Sequence, residues 1–122
     1  MQETCRDLLD EYRELAQLCA SLGSEDWRRR TDFYGWTPWD EVAHLCYFDQ
    51  TALQSITDPE AFVAGAKALN ALMASGQEIS SVARETFGHL DGPALLERWR
   101  GSCEPRVAAL ARQDPKARLN WY

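Results

Sequence analysis

An all-α fold, most simply an antiparallel helix bundle, is what this sequence predicts, and three observations carry the prediction. Apolar residues return at three- and four-residue steps along several stretches. Proline stands at or beside the first helical position in Thr37-Pro38, Asp58-Pro59 and Asp91-Gly92-Pro93. No two-residue alternation persists long enough to ask for a strand. The 122 residues, 45% hydrophobic and 26% charged, suffice for one domain around one core, here taken as residues 1–122.

From Glu3 to Leu22 the residues Leu8, Leu9, Tyr12, Leu15, Ala16, Cys19 and Leu22 make one apolar stripe, so a first amphipathic helix is expected there. Gly23 then offers a left-handed C-cap, and Ser24-Glu25-Asp26-Trp27 reads as a capped single turn burying Trp27. Arg28 to Trp36 has no period and reads as a loop. Thr37-Pro38-Trp39-Asp40 is the sharpest local signal: a hydroxyl cap, Pro where its missing N–H costs nothing, and a carboxylate three residues after the cap that can reach back to it. The second helix therefore starts there and runs to about Thr57. Asp58-Pro59 starts a third through Phe62, Ala66, Leu69 and Met73, interrupted at Gly76 and resumed through Ile79, Val82, Ala83 and Phe87 to Gly88. Asp91-Gly92-Pro93 launches a fourth, with Leu95, Leu96, Trp99, Cys103, Val107 and Leu110 on its apolar face and a bend expected near Gly101 or Ser102 because Pro105 lies inside.

Charge and composition exclude several functions. With 13 Lys and Arg against 19 Asp and Glu, the net charge is −6, the wrong sign for a nucleic-acid surface; the Arg28-Arg29-Arg30 run reads as a solvated loop. No stretch approaches the roughly 18–20 apolar residues that span a bilayer. Met1 to Asp7 lacks the plan of a signal peptide, so the expected location is cytoplasmic with no membrane partner. Cys5, Cys19, Cys46 and Cys103 lack C-x-x-C spacing and sit at helical positions, so they read as small buried thiols rather than disulfides or a zinc ribbon.

Two histidines are the only imidazoles. His44 lies off the aliphatic stripe of the second helix, on a strip with Asp40, Tyr47, Phe48 and Thr51. A carboxylate one turn away can orient an imidazole as metal ligand or base, or can simply hold a helix-face His. Cys46, two residues on, points elsewhere and cannot share an ion with it. His89 sits before a turn and reads as exposed. Trp27, Trp36, Trp39 and Trp99 fall beside caps or on apolar faces and read as core bulk. No glycine-rich phosphate loop, nucleophile elbow or H-E-x-x-H is present.

Gly35-Trp36-Thr37-Pro38-Trp39-Asp40-Glu41-Val42-Ala43-His44-Leu45 resembles the G-W-T-x-x-D-x-x-x-H-L signature of the mycothiol-dependent maleylpyruvate isomerase N-terminal domain family, within the DinB-like superfamily of metal-binding four-helix bundles. Tyr47-Phe48-Asp49, Thr57 to Phe62 and the closing Asp114 to Tyr122 are similar to an actinobacterial-type branch of it. The resemblance implies that His44 is a ligand to a divalent metal, zinc or nickel, with two further ligands on a later helix bearing E-x-x-x-H. It also implies a low-molecular-weight thiol cosubstrate and an isomerase or transferase reaction. The sequence ends at Trp121-Tyr122, before such a helix, so an N-terminal portion of a longer protein is expected, with its C-terminal remainder or a second copy as partner. Glu85 and His89 reproduce the E-x-x-x-H spacing, but in the wrong helix for the family and beside Gly88 at a helix end. A noncatalytic helical interaction module is the alternative reading.

Overall fold

The structure, a computed structural model, describes residues 2–122. It is all-α among those residues, with α1 Gln2–Ala20, α2 Ser24–Trp27, α3 Pro38–Thr57, α4 Pro59–Ala74, α5 Ile79–Phe87 and α6 Gly92–Ala111. The caps form as their residue types require. Thr37 accepts from the Asp40 N–H at 3.2 Å while the Asp40 carboxylate accepts from the Thr37 N–H at 2.9 Å, a closed capping box. Asp58 caps α4 through the Ala61 N–H at 3.2 Å, and Asp91 caps α6 through the Ala94 N–H at 2.9 Å.

Two expectations need correction. Gly23 is not a left-handed C-cap of α1: at φ −75° and ψ 166° it is extended and opens α2, whose Asp26 carboxylate accepts from the Gly23 N–H at 3.1 Å. The third helix read from the sequence, interrupted at Gly76 and resumed, is two separate helices, α4 and α5, because Gly76 adopts φ 99°, a left-handed conformation that turns the chain. Pro105 lies within α6, which continues past it to Ala111; buried Cys103, Arg106 and Val107 hold the segment on both sides of the proline.

Helix α6 packs against both α1 and α3, and α3 also carries α4 and α5. The core closes around Trp99, the largest buried side chain.

 Ala43, Cys46, Leu95 and Trp99 are all fully enclosed. All four cysteines are buried and free, as their helical positions predict, and burial pushes the Cys46 thiol up to about 11.

A buried polar network ties the three long helices together. Arg106 is 1% exposed, and its Nη2 lies 3.1 Å from an Asp49 oxygen that also accepts from the Trp99 indole N–H at 2.8 Å. The Arg106 Nε–H donates to the Tyr12 hydroxyl at 3.1 Å, and Nη1 donates to Ser102 at 3.0 Å. Tyr12 comes from α1, Asp49 from α3, and Trp99 and Arg106 from α6. The sequence places Tyr12 and Trp99 on apolar faces but does not mark Arg106 or its pairing with Asp49, because a charged residue is read as surface until a partner appears in space.

Candidate functional site

The capping box fixes where α3 begins and therefore where His44 lies, two turns into the helix. The preceding loop is closed by the Thr31 N–H and hydroxyl, which donate to the Trp36 carbonyl at 2.8 and 2.7 Å. This brings the Trp36 ring to 5.3 Å from the imidazole, and Phe48, one turn on, packs at 4.7 Å from the other direction. The row extends through Tyr122, 5.4 Å from Phe48 and 5.2 Å from Phe62, while Trp121 stacks on Phe62 at 5.8 Å. The C-terminal residues thus lie beside the aromatic surface that contains His44.

His44 is half-buried. Burial lowers its pKa from the ordinary imidazole value, with the Asp49 carboxylate pulling weakly the other way. Burial therefore favours the neutral ring, the form that has a lone pair to donate. Asp40 does not orient it: one oxygen accepts from the Arg84 Nε–H at 2.8 Å, and the other takes the Arg84 Nη2–H at 3.1 Å as well as the Thr37 cap. Burial would raise the Asp40 pKa, but Arg84 and Thr37 more than offset it and hold the carboxyl below its usual range. Arg84 comes from α5, 44 residues away, and no local pattern announces this pair.

Metal donors are sparse around His44. Among the described residues no group of three His, Cys, Asp or Glu side chains is placed to hold one ion. Glu85 and His89 are exposed and do not join His44 in such a group. The residues present therefore provide one imidazole donor and do not by themselves make a metal centre. Cys46 points into the core, as its two-residue offset from His44 predicts.

A cleft of about 950 Å³ opens where α2, the loop after it, the start of α3 and the α5–α6 corner meet. Its walls include Trp39, whose indole N–H donates to the Leu90 carbonyl at 3.0 Å, and Asp40 with Arg84. On its rim Tyr34 has φ 51° and Gly35 has φ 70°. A left-handed tyrosine costs roughly 1–2 kcal/mol, and this one is 84% exposed, so core packing does not explain it.

Residues 8–122 match the family model for the mycothiol maleylpyruvate isomerase N-terminal domain. The chain belongs to this family. The all-α architecture of a mycothiol maleylpyruvate isomerase N-terminal domain agrees with a DinB-like bundle. No curated protein and no solved structure matches the chain. None of the described helices is long and apolar enough to cross a membrane.

For this family member the His44 environment has a measurable consequence. Its imidazole is expected to titrate below 6.5, as followed by the ring proton resonances. Because the folded value lies below the unfolded one, the contribution of His44 to stability is complete above the unfolded value. It declines as pH falls through about 6.5 toward the folded value. A titration midpoint at or above 6.5 would contradict the half-buried ring.

Proposed function

We propose that this domain binds a divalent metal, zinc or nickel, through His44, with the remaining protein donors supplied by a second copy or by a further segment of the protein. The single observation behind the reading is the half-buried imidazole, whose burial favours the neutral form, walled by Trp36 and Phe48, with the nearby Asp40 already committed to Arg84. Neutral imidazole is the form that donates to a metal. A low-molecular-weight thiol as cosubstrate, in the cytoplasm, and an isomerase or transferase reaction follow from the family name and belong to the same proposal. Exposed Val63, Leu72 and Met73 on α4 give an additional chain an apolar surface to cover.

The test is equilibrium dialysis of the chain against zinc and nickel, with metal measured by elemental analysis. The expected result is binding that falls at least about tenfold in His44→Ala, while the thermal midpoint of the metal-free protein stays nearly unchanged. Equal binding by the variant would overturn the metal reading, and no binding by either protein would overturn donation by a second copy. The second reading, a noncatalytic helical interaction module, is favoured by the lack of a three-donor group among the described residues.

A further inference from the structure

We propose that the α2–α3 loop of one copy of this chain docks on the outer face of α1 of a second copy. The two surfaces are opposite in charge, and each carries exposed apolar side chains. The contact does not rest on the metal reading, since neither surface includes His44.

The loop forms a basic knob with an aromatic tip. Arg28, Arg29 and Arg30 are all exposed, and among them only Arg29 forms an ion pair, with Asp26 at 3.3 Å. Asp32 is the one carboxylate between Arg28 and Tyr34, so the segment keeps a positive surplus in a chain whose net charge is −6. The tip is tied down. Besides the bonds from Thr31 to the Trp36 carbonyl, the Trp36 N–H donates to the Phe33 carbonyl at 2.9 Å. Phe33 and Tyr34 meet edge to face at 4.8 Å while remaining 54% and 84% exposed. A pair of rings held in place beforehand loses little freedom on docking. Tyr34 keeps φ 51° with nothing in its own fold burying the ring, and strain of this kind marks a side chain whose position is used.

Helix α1 offers the complement. Its 3.6-residue period aligns Glu3, Asp7, Asp10 and Glu14, flanked by Glu11, on the side away from buried Cys5, Ala16 and Cys19. All five carboxylates are exposed. Arg13 comes no closer than 3.9 Å to Asp10, and Asp7 and Glu14 form no ion pair among the described residues. Like charges three and four residues apart repel, so this stripe weakens α1 when the helix stands alone. Leu18, 64% exposed, continues the same face one turn beyond Glu14. Arginine forks of the loop meet these carboxylates while Phe33 and Tyr34 cover Leu18, and two copies that exchange the contact reciprocally close into a twofold dimer.

The experiment is sedimentation equilibrium of the full chain in chelator, so that its outcome is independent of any metal. A dimer is expected, with an affinity that falls at least about tenfold as salt rises from about 0.05 M to about 0.5 M. Arg28→Glu/Arg30→Glu and Asp7→Lys/Glu14→Lys are each expected to be monomeric, because the reversed surface repels its unaltered counterpart. An equimolar mixture of these two variants is expected to recover the dimer, since each reversed surface then meets one of opposite sign. Tyr34→Gly is expected to weaken the dimer at least about fivefold while the thermal midpoint of the monomer falls no lower, because glycine takes the left-handed conformation without strain. A monomer at low salt, a dimer indifferent to salt, a mixture that stays monomeric, or full affinity in Tyr34→Gly would each overturn the proposal.

Discussion

Arg106→Ala is expected to destabilise the fold by about 3–5 kcal/mol, read as a lower urea midpoint, because it removes one member of a buried ion pair and strands the other. The guanidinium is 1% exposed and Asp49 19%, so water screens the pair little. Deleting Arg106 also empties the bonds to Tyr12 and Ser102 and leaves Asp49 with the Trp99 indole and a long 3.4 Å contact from the Tyr12 hydroxyl. For a domain of this size such a loss is a large share of the roughly 5–15 kcal/mol available. Replacing both partners, as in Asp49→Asn with Arg106→Met, is expected to cost less than Arg106→Ala, since no unpaired charge remains inside. A loss below about 1 kcal/mol for Arg106→Ala would show that the network is not buried as described.

The second large effect is steric. Gly92→Ala is expected to cost about 2 kcal/mol, because the added Cβ would overlap the indole ring of Trp27, which is 3% exposed and would have to shift. Gly65→Ala in α4 makes the matched comparison: a Cβ there meets nothing within 4 Å, so removing a helical glycine is expected to stabilise by about 0.5–1 kcal/mol. Calorimetric midpoints of the two variants should therefore move in opposite directions. If both rise, α6 does not approach Trp27 as closely as its glycine indicates.

Much of the fold was legible because its signals are local. Thr37, Pro38 and Asp40 act within four residues, and Asp58 and Asp91 cap helices by bonds to N–H groups three residues ahead. Where the reading failed, the deciding partner was distant or the backbone had two uses for one residue. Gly23 could end α1 or open α2, and the Asp26 carboxylate selected the second. Sequence alone leaves Arg106 off the apolar face of its helix although it is buried beside Trp99 and Cys103, because only Asp49, on another helix, makes a charge tolerable there. The site was less legible than the fold. His44 could be picked out, but Asp40, which its spacing offered as an orienting partner or as a helix cap, caps α3 and is taken by Arg84 from α5. The arginines and aromatic residues of the cleft are scattered from Trp27 to Pro93, and only the folded chain gathers them.

The burial of Cys5, Cys19, Cys46 and Cys103 gives the molecule its own chemical clock. An alkylating reagent meets these sulfurs only when helices part, so the rate at which thiol disappears measures how often the bundle opens. No engineered reporter is needed to time that motion.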